Sequence, residues 1–252
     1  MQLFLAMAVL VSWEIASAHS PKLKFVAGSP RDVGRELVHL VARENLLSHM
    51  LVTAQEATAG LILGMLIGTT AGLLLWYSEG AALVLRPFIL AIGTLPVLAF
   101  APLMIVWFGI GLSMKVAMAT LATVFVAFDQ AFRGARSVSA IHVDPFIGMR
   151  ASRRQILRKV IVPGSIVWVF SSMRLNVGFA LLGAFIGEFI ASDSGLGYLI
   201  LRAAGLYDIP RALAAACGIT VLALLLDRGA AFLEAQRNFI VQTFSVPRLL
   251  WK

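Results

Sequence analysis

The chain has 252 residues, 60% of them hydrophobic and 13% charged, with a mean hydropathy of +0.89 and a formal net charge of +8. So much apolar surface exceeds what one water-soluble core can bury, which excludes an ordinary soluble domain and makes a membrane protein the first reading. The basic excess is assigned to cytoplasmic loops in preference to nucleic acid. A lone cysteine, Cys217, excludes an intrachain disulfide framework, and His19, His39, His49 and His142 show no metal-ligand spacing.

The first apolar window covers residues 1–18. Ala16-Ser17-Ala18 resembles a signal cleavage site, yet no Lys or Arg precedes the run and Glu14 lies inside it, so a retained first helix is expected. Residues 19–48 are mixed and polar, with Pro21 and Pro30 as breakers. From Asp32 on, Val33, Leu37, Leu40 and Val41 recur at helical spacing, which predicts a short amphipathic helix at the membrane surface. A second span is predicted over 50–76, where Gly60, Gly64, Gly68 and Gly72 place a small-residue stripe on one face. A third span, 87–108, contains Pro96 and Pro102, which predict a kink. A fourth covers 112–132. The fifth, 162–191, is too long for one straight crossing, and a sixth covers 212–226. The expected fold class is therefore an all-α membrane protein of about six transmembrane helices, forming one domain over 1–252.

Lys and Arg in the connections set the orientation. The 133–159 loop carries Arg133, Arg136, Arg150, Arg153, Arg154, Arg158 and Lys159, and is placed in the cytoplasm. Parity then puts the C-terminal tail inside, in agreement with Arg228, Arg237, Arg248 and Lys252, and the 192–211 connection outside with only Arg202 and Arg211. Parity also puts 19–48 outside, against the rule, because Lys22, Lys24, Arg31, Arg35 and Arg43 lie there. The 133–159 loop is given precedence.

Within that loop, residues 146–160 are predicted as a helix. Phe146, Met149, Ile156 and Val160 fall on one stripe, while Arg150, Arg154 and Arg158 fall on another with Arg153 beside them. Asp144 is the expected N-cap and Pro145 the first helical residue. On pattern alone the basic helix either rests on anionic headgroups and enforces topology, or is gripped by a soluble partner.

Longer stretches carry a resemblance. Ala151 to Pro163, ASRRQILRKVIVP, is similar to the second half of the cytoplasmic loop of inner-membrane permeases of ABC importers, in the nitrate/sulfonate/taurine/bicarbonate branch. Trp13-Glu14, TLPVLAFAPLMIVWFGIG (94–111) and GEFIASDSGLGYLI (187–200) resemble that branch in order along the chain. The family's E-A-A triplet aligns with Asp144-Pro145-Phe146. Its glycine aligns with Arg150, which implies a continuous helix or an altered angle there.

The resemblance implies a multi-pass inner-membrane permease of an ATP-driven importer. Its partners are cytoplasmic ABC ATPase subunits, a second permease copy and a periplasmic substrate-binding protein. The 133–162 loop becomes a coupling loop between the fourth and fifth spans. Its ATPase-coupling residues are Asp144, Pro145, Gly148, Arg150, Ala151, Ser152, Arg153, Arg154, Ile156, Leu157 and Arg158. The chain has no G-x-x-x-x-G-K-[ST] phosphate loop and no nucleophile–base constellation. It is therefore expected to be no enzyme and to bind no cofactor or metal, with ATP and Mg held by the partner. The branch implies a small anionic substrate such as a sulfonate or a nitrate-like oxyanion. The alternative is an ATPase-independent transporter or channel whose basic loop only sets topology. Polar residues inside spans are candidates for the translocation path: Gln55, Glu56, Arg174, Asn176 and Glu188, with Asp227 also at depth. Arg174 either attracts an oxyanion or, with Glu188, makes structural pairs between spans. The two lie ~20 Å apart along one straight helix and cannot pair directly.

Overall fold

The computed structural model describes residues 1–138 and 140–244, with the backbone alone at 2–3, 140–141 and 237–244. In chain order the helices are α1 (Gln2–His19), α2 (Pro21–Ala27), α3 (Pro30–Arg43), α4 (Leu46–Leu75), α5 (Glu79–Gly93), α6 (Ala101–Phe108), α7 (Leu112–Ser137), α8 (Ala140–Gly148), α9 (Arg153–Ile156), α10 (Val162–Ile190), α11 (Leu196–Gly205) and α12 (Ile209–Phe244). A 3-10 turn, Val97–Phe100, leads into α6, and a π turn, Leu157–Ile161, joins α9 to α10. Among the described residues no β-strand occurs.

Among the described residues four helical runs are long and apolar enough to cross a membrane: Leu46–Leu75, Leu112–Ser137, Arg153–Ile190 and Ile209–Gln236. The apolar pair Glu79–Gly93 and Val97–Phe108, bent by 91°, has the form of a broken span or a re-entrant loop. The bend falls where Leu95 precedes Pro96, because a residue before proline is pushed out of the helical region and the proline ring supplies no amide. Where a kinked third span over 87–108 was expected, the chain forms this sharply bent pair, starting at Glu79. The first expected span is a shorter apolar helix, Phe4–His19. The last runs well beyond the predicted 226, since the charges at Asp227 and Arg228 continue the helix instead of ending it. Arg248 and Lys252, used above for orientation, lie outside the described residues, as does the side chain of Arg237.

The chain divides into two compact units. The first joins Met1–Gln55 to Phe185–Leu224. Pro21 and Pro30, read above as breakers, open helices here. Each sits at the first helical position behind a serine, and Ser20 and Ser29 accept the amides of Leu23 and Asp32. The Ser29 hydroxyl also donates to the Asp32 carboxylate at 3.0 Å, and with Lys24 at 3.3 Å this holds the Asp32 carboxyl below the usual carboxylate range. The predicted amphipathic helix is α3, which buries Leu40 completely and leaves Val41 half exposed. Asn45 turns the chain into α4 with φ +52°, a conformation Asn tolerates well.

The second unit joins Glu56–Ala184 to the chain from Leu225 onward. Here the glycine stripe of α4 meets α7. A methyl group at Gly60 would strike Ala119, at Gly64 the Thr123 side chain, at Gly68 the backbone oxygen of Val124, and at Gly72 that of Phe128. Backbones this close gain dispersion contacts that apolar lipid cannot supply by a hydrophobic effect. Gly183 of α10 packs equally closely on Met118 and Ala119 of α7. The small-residue pattern thus brings two other helices against α7, whose Met118, Ala119, Ala127 and Ala131 are wholly or almost wholly buried.

Candidate functional site

The loop between α7 and α10 lies within the second unit. Its helix starts six residues before the predicted one, so Asp144 and Pro145 lie inside α8 and are not its cap and first residue. Packing explains the extension. Val143 and Phe146, three apart on one helical face, join Ala151, Leu157 and Val160 around the buried trio Ala135, Ile156 and Ile161.

The expected continuous helix 146–160 is interrupted at 149–152. Arg150 adopts the left-handed conformation, φ +52°, for which the family pattern uses glycine. The Ala151 amide returns to Phe146 O and the Arg150 amide to Ile147 O, both at 2.9 Å, closing the six-residue and four-residue rings of a Schellman end. Ala151 and Phe146 pack against the same core, which supplies the apolar contact that accompanies this motif. Ser152 then caps α9. Its hydroxyl accepts the Gln155 amide at 3.3 Å, and the Gln155 side chain accepts the Ser152 amide at 2.7 Å. An arginine in the left-handed region is strained by ~1–2 kcal/mol, and these surrounding bonds and contacts hold it there.

The interruption re-aims the side chains. Phe146, Ile156 and Val160 face the core as predicted, but Met149 is 69% exposed beside Ile147 at 59%. Gly148, Arg150, Arg154, Arg158 and Lys159 are exposed as well. Arg153 is tied down, donating from Nη1 to Tyr77 O at 3.0 Å. The loop therefore presents an apolar knob, Ile147 and Met149, among arginines.

The polar residues predicted at depth take separate partners. Gln55 is exposed. Glu56 pairs with Lys115 at 2.6 Å, with both side chains almost fully buried. Lys115 was missed by sequence reasoning because it lies near the start of a span; a count of every charge inside predicted spans finds it. Arg174 makes a two-pronged pair with Asp227, Nε to Oδ1 at 2.9 Å and Nη2 to Oδ2 at 2.8 Å. This is a structural pair between α10 and α12, one of the two roles expected for Arg174. Ser171 donates to Glu234, two helical turns further along α12. Asn176 is fully buried and donates Nδ2 to Ser172 O at 2.9 Å.

Glu188, fully buried in the first unit, anchors the start of α11. Its Oε1 accepts from the Thr53 hydroxyl and its Oε2 from the Gly197 amide, both at 2.6 Å. Thr53 Oγ1 accepts the Leu196 amide and His49 Nδ1 accepts the Gly195 amide, each at 2.9 Å. Three consecutive amides at a helix start, normally without partners, are thereby satisfied by one carboxylate and two residues of α4 spaced i, i+4. Gly195, at φ +105°, and Gly197 are required, since a methyl at either would meet the Glu188 side chain.

Residues 60–238 match the family described as the binding-protein-dependent transport system inner membrane component. The chain is similar to the formylaminopyrimidine transport permease protein ThiX of Halalkalibacterium halodurans, with 29% identity over 233 residues, 92% of this chain and 91% of that one. It is also similar to the taurine transport system permease protein TauC of Escherichia coli, with 26% identity over 235 residues, 91% of this chain and 85% of that one. In fold it is similar to a chain of the MetNI methionine ABC transporter in an inward-facing conformation. The TM-score is 0.66 at 15% identity, over 80% of this chain and 96% of that one.

Proposed function

This chain belongs to the family of binding-protein-dependent transport system inner membrane components, the multi-pass permeases of ABC importers, and from that premise we propose that its α7–α10 loop is where a cytoplasmic ATPase grips it. The supporting observation is the knob. Ile147 and Met149 stand exposed on a loop that Ala151, Ile156 and Leu157 anchor in the core and that the Ser152–Gln155 box fixes. Apolar side chains held rigidly in water are covered by a groove on a soluble partner, and Arg150, Arg154 and Arg158 around them favour an acidic rim.

In this reading the partner holds ATP and Mg, and the chain itself holds neither. A second copy of the permease completes the path, and a periplasmic binding protein delivers the solute. ATPase closure pulls on α8 and α9, and the π turn after them passes the movement into α10, a helix about 43 Å long. The path residues Gln55, Glu56, Arg174, Asn176 and Glu188 do not form one binding cluster in either unit, and the cations Lys115 and Arg174 are each matched by a carboxylate.

We assign the substrate to the small anions, a sulfonate or a nitrate-like oxyanion. The named substrate of the Escherichia coli relative, taurine, is a sulfonate; that of the Halalkalibacterium relative is a pyrimidine. With the span cations engaged, selection of the anion falls to the binding protein. Co-expression with the ATPase tests the docking role: the wild type should retain the ATPase through purification, and Arg154→Glu with Arg158→Glu should release it. Retention unaffected by the reversal overturns the docking role. Uptake of taurine into proteoliposomes without ATP overturns the importer and supports a secondary transporter.

A further inference from the structure

A cavity of about 450 Å³ lies in the second unit under the α7–α10 loop, walled by the ends of α4 and α7, the start of α5, α8 and α9. Its volume falls among those of ligand sites, ~300–1,000 Å³. Leu75, Ala82, Phe132 and Ile156, all buried, give it an apolar floor, and Arg136, Arg153 and Glu79 lie on its wall as exposed side chains. The Arg136 guanidinium sits 5.7 Å from the centre of the Phe132 ring. That contact orients a planar fork of donors at the edge of an apolar surface. Arg153 spends one of its donors on Tyr77 O and keeps the rest of the fork.

The depth of the cavity indicates what fills it. The apolar run of α4 ends at Leu75, that of α7 gives way to Asp129, Arg133 and Arg136 around Phe132, and Trp76, which also lines the cavity, is a residue type that favours the boundary between hydrocarbon and headgroups. A ligand there meets an apolar floor on one side and two guanidinium groups on the other. We propose that the cavity is a binding site for an anionic phospholipid of the leaflet that this loop faces. The phosphate bridges Arg136 and Arg153, the start of an acyl chain lies on Phe132 and Leu75, and Glu79 accepts from headgroup hydroxyls. Phosphatidylglycerol carries all three features. Docking of an ATPase is not required for this binding, and only the name of the leaflet, cytoplasmic, rests on the family's orientation.

The test uses the full permease, purified and delipidated in neutral detergent without any ATPase. Phosphatidylglycerol, phosphatidylcholine and inorganic phosphate are each titrated, with binding read by native mass spectrometry and by the thermal melt. Phosphatidylglycerol should bind saturably and raise the melting temperature, and the other two should not. Arg136→Gln and Arg153→Gln should each weaken binding about fivefold, while Arg154→Gln, outside the cavity, should bind as the wild type does. All three side chains are exposed, and far-UV circular dichroism of each variant checks that the fold is kept. Equal binding of phosphatidylcholine, saturable binding of phosphate alone, or an equal loss in Arg154→Gln overturns the site.

Discussion

Glu56→Gln leaves the Lys115 ammonium in the packed interior of the second unit without its carboxylate. At 2.6 Å the intact pair attracts by about 6 kcal/mol at an effective dielectric of ~20. Removing each ion from water costs several kcal/mol, so the pair as a whole contributes little net stability. Deleting one member is different, because the desolvation of the other remains; the expected loss is ~3–5 kcal/mol. For a chain of this length that corresponds to a fall in Tm of about 6–20 °C, measured by tryptophan fluorescence of the detergent-solubilised permease. Glu56→Gln with Lys115→Met removes both charges and should return stability to within ~1 kcal/mol of the wild type. A single variant within that same margin, or a double variant as unstable as the two single losses added, refutes the reasoning.

Other predictions follow from the local geometry. Arg150→Gly should raise the melting temperature slightly, by ~0.5–1 kcal/mol of stability, because glycine takes the left-handed conformation without the strain and recovers more than its greater chain entropy costs; a lower melting temperature contradicts this. Gly68→Ala should destabilise by ~1–3 kcal/mol, since the new methyl meets the backbone of α7, whereas Gly80→Ala, with open space around it, should not; equal effects in a thermal melt contradict the close packing. Thr53→Val removes both the donor to Glu188 and the acceptor for Leu196, so hydrogen exchange at the 195–197 amides should accelerate at least tenfold, about 1.4 kcal/mol. Unchanged exchange contradicts the anchoring role of Thr53.

The parts of this molecule most open to sequence reading were those set by length and by backbone chemistry. Apolar runs near or above 20 residues gave the four long helices, Pro96 gave the position of the break, and the arginine pattern located the α7–α10 loop. The glycines of α4 declared a close approach, although not that α7 was the neighbour. The misreadings share a cause: partners distant in the chain. Pro145 reads as a helix start until Val143 and Phe146 are seen to pack on Ala135 and Ile156. Arg150 reads as either a helix continuation or an altered angle until the core holds Phe146 and Ala151 together and leaves it the left-handed turn. Glu188 reads as either a path residue or a structural pair, and only the fold names its partners, Thr53, 135 positions earlier, and Gly197. Tertiary packing overrode local preference in each case.

Met149 gives the most direct access to the docking account, since it is 69% exposed at the tip of the loop. A Met149→Cys chain, with Cys217→Ser to remove the other thiol, is treated with a membrane-impermeant maleimide in sealed right-side-out spheroplasts and in inside-out vesicles. Labelling is expected only in the vesicles, and bound ATPase should block it. Labelling from the outer face of sealed spheroplasts contradicts the account, because no cytoplasmic ATPase could then reach the knob.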